Sequence, residues 1–353
     1  MKRFFKKLFS FLIFCLIICV VVYFFRGWFI RQYHKVKGAY YVYKGDVAYS
    51  QDNMSKTLDY YKRGLELFPG HYEAWFNLGN IYAVYEDYYS AVEAYQNAIR
   101  HNPKFVMARM NLGIVYSDDL GFFDEAIEQF DIITDLKFFR LWIPFIYSNV
   151  KSIPGNRGIA FFNKGVAFKK KAMYLPVEKK YLAYQYLGDA IDAYTSSLKY
   201  LKKSYDVYYN RAVAHHLRGE KKLAGIDYCK AINLQPMAFE AHYNLAVLLR
   251  SMHRYSDSKN ELIKSAMLIT ESSGDSELET AYIFNLLNEV SRTLIASDEY
   301  GTEKLSDEPM AGSSYTFING KIVDEKEFDK AIVKNLKSCS GFESFIEEDE
   351  GER

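Results

Sequence analysis

Residues 72–95 read YEAWFNLGNIYAVYEDYYSAVEAY, and residues 239–262 read FEAHYNLAVLLRSMHRYSDSKNEL. Their openings nearly coincide, EAWFNLGNI against EAHYNLAVL, although much of the chain lies between them. A phrase written twice signals a repeated structural unit, and the period decides which unit it is. The interval from Pro69 to Pro103 gives that period. Counted from Tyr72, Trp75 is position 4, Gly79 is 8, Tyr82 is 11, Ala91 is 20, Tyr95 is 24, Ala98 is 27 and Pro103 is 32. Counted from Tyr205, Ala212, Ala224, Tyr228, Ala231 and Pro236 fall at positions 8, 20, 24, 27 and 32. From Gly38, the same places hold Gly45, Tyr61, Gly64 and Pro69 at 8, 24, 27 and 32. Small residues at 8, 20 and 27 let two antiparallel helices approach closely, and large ones at 4, 11 and 24 fill the gaps. Proline at 32 stops the second helix before the next unit begins.

This pattern resembles the tetratricopeptide repeat family, over about residues 38–270. The expected fold is all-α: a helical solenoid of about six helix pairs with a capping helix, preceded by one N-terminal transmembrane helix. Repeats are expected to start near Gly38, Tyr72, Val106, Gly158, Tyr205 and Phe239. Two insertions, about 138–157 and 172–184, account for the irregular spacing between the third, fourth and fifth. The first lies within KFFRLWIPFIYSNVKSIPGNRG, where Pro144 and Pro154 read as helix breakers; it is either a lengthened second helix or an exposed apolar site for a partner or a membrane surface. The second, around KKKAMYLPVEKK, reads as a solvated loop. Residues 271–297 have helical apolar spacing and would close the open end of the stack. Residues 298–353 are acidic and read as a loosely held tail. It carries a hairpin signal in YTFINGKIVD and a short helix capped by Asp324.

Ahead of the repeats, the run from Leu8 to Phe25 holds no charged residue. As a helix it would reach about 27 Å, close to the thickness of a bilayer's hydrocarbon core. It ends in YFFRGWF, without the small residues of a cleavage site, so residues 1–30 read as a retained anchor and 31–37 as a basic linker. Membrane contact is expected through residues 8–30. The tight cluster Lys2, Arg3, Lys6 and Lys7 favours an inside N-terminus and an extracytoplasmic, periplasmic body.

Charge is segregated. Residues 1–37 hold eight Lys/Arg and no acid, residues 136–204 hold 13 Lys/Arg against 3 Asp/Glu, and residues 271–353 hold 8 against 20. Such alternation speaks against nucleic-acid binding, which needs one dominant basic face. It suggests that the tail, 298–353, folds back on the basic middle and competes with partners. The four cysteines, Cys15, Cys19, Cys229 and Cys339, form no CxxC pair, and their spacing sets no redox compartment.

No phosphate-binding loop, HExxH or GxSxG motif is present, and His215 and His242 fall at core positions, so neither catalysis, a metal nor a cofactor is expected. What remains is a binding surface. The resemblance implies a groove lined by first helices, with Asn at position 6 able to bond an extended peptide backbone both ways. Asn77, Asn111, Asn163, Asn210 and Asn244 occupy that position, Asn80 adds position 9, and Phe76, Tyr209 and Tyr243 stand at position 5. Asparagine there also serves the repeat itself. The basic clamp that grips a chaperone's terminal carboxylate is missing, because Met107, Asn111, Ile159 and Asn163 stand at its places. Ile114, Val166, Val213 and Val247 make the later groove floor apolar, suited to an amphipathic helix or apolar peptide. The function expected is a membrane-tethered scaffold for partner proteins in a cell-envelope complex: secretion, wall synthesis or motility. The alternatives are a cytoplasm-facing docking receptor for chaperones or clients, and a regulator of a membrane enzyme.

Overall fold

The computed structural model describes residues 2–136, 153–272, 283, 285–292, 316–318, 321–323 and 337–342. Among the described residues the chain is all-α apart from one short hairpin. It divides into two compact units, residues 1–129 and 130–353.

The first unit begins with α1, Lys2–Ser50, a single helix of 49 residues. Its apolar half lies open, with Phe24 77% exposed. By length and composition it suffices to cross a membrane. Residues 31–37 continue the helix without a break, and its last turns form the first helix of repeat 1. There α1 packs on α2 (Met54–Leu67). Next come α3 (Tyr72–Val84) and α4 (Tyr88–His101), packed on each other, then α5 (Val106–Ile114). The helices α2 and α4 are capped by Asn53 and Asp87, whose side chains accept from the backbone N–H of Lys56 and Ser90. The size pattern works as packing. A Cβ added at Gly79 would stand 2.6 Å from the Tyr95 ring, which is 1% exposed. Gly45 stands in the same relation to Tyr61.

Within repeats 1, 2, 5 and 6 the turn between the two helices uses one left-handed residue: Asp52 (φ 58°), Glu86 (φ 60°), Gly219 (φ 80°) and His253 (φ 60°), all at position 15 of their repeats. In repeat 3 that residue is Gly121 (φ 71°), one place later. The extra residue is taken up by a π-helical turn, Val115–Asp119, directly after α5. The following helix, α6 (Phe123–Asp135), therefore carries its small and large core residues, Ala126 and Phe130, one position late.

The second unit holds α7 (Ile153–Met173) paired with α8 (Lys180–Leu198), α9 (Tyr205–Leu217) with α10 (Lys221–Leu234), and α11 (Phe239–Ser251) with α12 (Tyr255–Ser272). Two sequence expectations change here. Pro154 does not break the helix; it sits in the first turn of α7, where a missing N–H costs no intrahelical bond. Residues 169–180 are a loop only at 174–176, although most of 173–180 is exposed. They extend α7 to Met173 and, after a 3-10 turn at Val177–Lys179, open α8. Pro176 supplies the stop between them. Most of the first insertion, residues 137–152, lies outside the described residues, as do Asp324 and the helix expected after it. Beyond α12, Ile283, Leu287 and Val290 pack on Leu262, Ala266 and Ile269 of the last repeat. β1 (Thr316–Ile318) and β2 (Lys321–Val323) pair antiparallel, Phe317 opposite Ile322.

The largest departure is at residues 337–342. Cys339 is disulfide-bonded to Cys229 of α10 across 110 residues of sequence, while Cys15 and Cys19 are free. Nothing in their spacing signals this pairing. Phe342 is 1% exposed and fills a hollow over Gly225, where a Cβ would stand 2.4 Å from its ring. The Arg254 guanidinium lies 5.4 Å over the Phe342 ring and donates to the Ser338 carbonyl at 3.0 Å. This piece of the tail docks on the last two repeats through an aromatic plug and a covalent bond, while most of the tail expected to meet the basic stretch, and residues 137–152 of that stretch, lie outside the described residues. It leaves α10 buried on every side: Gly225, Ile226, Asp227, Tyr228 and Cys229 are all covered.

Candidate protein-binding groove

All nine candidate groove residues are half-buried: Asn77, Asn80, Asn111, Asn163, Asn210, Asn244, Phe76, Tyr209 and Tyr243. Three of the position-6 asparagines reach back to the preceding repeat. Asn77 Nδ2 donates to Tyr61 Oη at 3.4 Å, Asn111 Nδ2 to Asn80 Oδ1 at 2.8 Å, and Asn244 Nδ2 to Tyr209 Oη at 2.7 Å. A carboxamide has two donors and two lone pairs, so one such bond leaves capacity for a ligand. Asn210 is more committed. Its Nδ2 donates to the Asp206 carbonyl and its Oδ1 accepts from Lys169 Nζ at 2.6 Å. Phe76 packs edge-on against Phe105, and Tyr209 stacks on Tyr205. Tyr243 joins the cluster beneath the last repeat.

Position 9 is polar in repeats 1 and 2 of the first unit and apolar from Ile114 of repeat 3 onward. In the first unit, Tyr61 Oη donates to Asp46 at 2.6 Å and Tyr95 Oη donates to Asn80 at 2.8 Å. Burial, and next the Asp46 carboxylate, raise the Tyr61 phenol, so it stays a donor. In the second, Val166 and Val213 hold that place. The Tyr194 hydroxyl is buried without a partner, and Tyr228 turns instead to His216 Nδ1 at 3.4 Å. Asp46 and Lys169 are groove residues the sequence reading passed over. The signal for Asp46 was its place, position 9, which it shares with Asn80. Lys169 has no such marker; burial, and next the charge of Lys170, push its ammonium down to about 8.

The histidines at core positions are structural. His215 and His242 are 7% and 0% exposed. His242 meets Glu261 through Nδ1 at 2.6 Å and the Pro236 carbonyl through Nε2 at 2.9 Å, and Lys264 Nζ reaches Glu261 at 2.6 Å. Burial alone would raise the Glu261 carboxyl, but His242 and Lys264 together hold it below its ordinary value. Among the described residues no cluster of three His, Cys, Asp or Glu is placed to hold a metal ion.

Two stretches match family models of the tetratricopeptide repeat, residues 72–105 and 205–236. A TPR repeat-containing protein of Methanocaldococcus jannaschii is 24% identical over 257 residues, 70% of this chain and 41% of its own length. The peroxisomal targeting signal receptor of Kluyveromyces lactis is 34% identical over 85 residues, 24% of this chain and 15% of the receptor. The chain thus spans less than half the length of these curated relatives. Among solved structures, a MamA crystal structure aligns with 19% identity over 59% of this chain and 96% of that one, at a TM-score of 0.43. The Pseudomonas aeruginosa PilF structure aligns with 14% identity over 69% and 95%, at a TM-score of 0.48.

Proposed function

We propose that this chain, which carries tetratricopeptide repeats, is a membrane-tethered scaffold that holds partner proteins on the extracytoplasmic side in a cell-envelope assembly. One observation carries the choice of side: the Cys229–Cys339 disulfide. Cytosolic thiol buffers keep such pairs reduced, whereas secreted and periplasmic proteins keep them oxidised. The open apolar length of α1 supports a tether, because an exposed run of this kind has no stable place in water. First-helix surfaces in each unit support partner binding: Asn77, Asn111 and Asn244 keep spare amide capacity, and half-buried apolar residues stand at position 9, Ile114 in the first unit and Val166, Val213 and Val247 in the second. Secretion, wall synthesis and motility machines all fit such a scaffold.

Protease access to a tagged tail tests the side. Digestion in cells with only the outer layers permeabilised supports the reading. Digestion that needs the cytoplasmic membrane opened sinks it in favour of the cytoplasm-facing receptor. A partner screen with the intact protein and with the double variant Asn77→Ala/Asn244→Ala tests the groove. Partners lost by the variant are expected; an identical set would remove the asparagines from the binding role.

A further inference from the structure

The first unit contains a pocket of about 270 Å³ whose makeup differs from the rest of the groove. It opens between repeats 1 and 2, and its lining includes Asp46, Tyr49, Tyr61, Asn77, Asn80 and Tyr85. Of its nine lining residues only Asp46 carries a charge. Tyr49 and Tyr85 stand at the rim, 53% and 57% exposed, and Ile81 and Val84 make an apolar wall. The pocket also sits at the C-terminal ends of two first helices, since α1 ends at Ser50 and α3 at Val84. Those ends carry the negative pole of the helix dipole. The one charged side chain facing the space is therefore negative, the two helix C-termini there outnumber the single N-terminus of α2 at Met54, and the rim offers two aromatic faces.

We propose that this pocket is a subsite for the side chain of a lysine or arginine in an extended peptide. The inference rests on the groove reading above and adds to it the chemistry of one anchor. The ligand's head meets Asp46, which Tyr61 orients by its 2.6 Å hydrogen bond. Its methylene stem lies along Ile81 and Val84. The cation lies against Tyr49 or Tyr85, an arrangement that favours positive charge over an isosteric neutral group. Asn77 and Asn80 line the same pocket and offer amides to the flanking backbone. An acidic or neutral side chain would find no donor of opposite charge there.

The test is panning of a random dodecapeptide display library on the full chain in nanodiscs, with wild type, Asp46→Asn and Tyr85→Ala run in parallel. Asparagine keeps an acceptor for Tyr61, so Asp46→Asn should melt like wild type, and thermal unfolding checks this. Wild type is expected to enrich peptides with lysine or arginine between apolar residues. Replacing that lysine with norleucine in a selected peptide should weaken binding roughly tenfold, the weight of one charge-assisted contact. Asp46→Asn should lose the same factor. Enrichment without basic residues, or equal binding by Asp46→Asn, overturns the subsite while leaving the groove intact. A library that enriches nothing on any variant overturns both.

Discussion

Helices α4 and α10 hold the same place in repeats 2 and 5, yet they are buried differently. In α4 the covered residues Ala91, Ala94, Tyr95 and Ala98 fall on one face, as an amphipathic helix of a stack should show. In α10 an unbroken run from Ala224 to Cys229 is covered. The face that α4 leaves to water, α10 gives to residues 337–342. Gly225 is the reason a ring can sit there, and Cys229 is the reason it stays. One repeat pattern therefore supports two kinds of surface: a bare one in the first unit and a clasped one in the second.

Removing the clasp should produce the largest effect. Cys339→Ser frees a loop closed across 110 residues, worth about 5 kcal/mol on chain-entropy grounds. Dithiothreitol should reproduce most of that loss in wild type and add nothing in the variant. The expected readout is a lower denaturant midpoint for the second unit, followed by hydrogen exchange of α10, with α4 unchanged. Equal protection of both helices under reducing conditions would show that α10 does not depend on its cover.

The clasp also marks where the sequence stopped being legible. The helix pairs could be read because each contact is local: Gly79 and Tyr95 belong to one repeat, and the pattern writes both. The tail's docking depends on Gly225, Cys229, Arg254, Cys339 and Phe342, and no periodicity joins them. A glycine beside a cysteine on a second helix looks like a weak helix until its partner is seen. The π turn was hidden for a related reason. One extra residue in repeat 3 shifts Ala126 and Phe130 by one place, and a fixed ruler does not follow that shift. The asparagines were legible as a recurring position 6, but their bonds to Tyr61, Asn80 and Tyr209 were not, since these cross from one repeat to the next.

A second difference between the units is electrostatic. Position 4 is Trp75 in repeat 2, whose indole donates to the Pro69 carbonyl at 2.8 Å. In repeat 6 it is His242, tied into a buried set with Glu261 and Lys264. Glu261→Gln should cost about 3 kcal/mol, because it removes the buried carboxylate that both His242 and Lys264 face. The sign with pH follows from the lowered Glu261 carboxyl. Its contribution is fully present above the ordinary carboxylate value of 4.5 and is lost as pH falls through the folded value. Acid titration of stability should therefore fall more steeply below that point in wild type than in Glu261→Gln. Parallel curves would mean that Glu261 is not held ionised by its neighbours.

Position 8 gives a smaller contrast. Repeat 2 has Gly79 against Tyr95, and repeat 5 has Ala212 against Tyr228. Gly79→Ala forces a Cβ to 2.6 Å from the ring, so it should destabilise the first unit by about 1–2 kcal/mol despite alanine's better helix propensity. Ala212→Gly should cost about 1 kcal/mol for the opposite reason, lost propensity and a small void. A stabilising Gly79→Ala would show that Tyr95 has room to move aside.

The smallest effects lie in two tyrosine hydroxyls, and there the sign should differ between the units. Tyr95 stands at position 24 of repeat 2 and Tyr194 at the equivalent place of repeat 4, beyond its insertion; they are 1% and 0% exposed. Tyr95 donates to Asn80, which also accepts from Asn111, so its hydroxyl closes a small network between repeats 2 and 3. Tyr95→Phe removes a donor from that network and should cost about 1 kcal/mol. Tyr194 faces Gly165 and finds Val166 where Asn80 would stand, and its hydroxyl is buried without a partner. Burial alone raises its phenol. Tyr194→Phe removes a polar group that was desolvated without return, so stability should stay level or rise slightly. Adding Val166→Asn to native Tyr194 should recover part of the missing bond, as position 9 does in repeat 2. Chemical denaturation of the four proteins reads the contrast directly. Equal losses from both Phe variants would mean that the tyrosine ring, not the residue at position 9, decides what this position contributes.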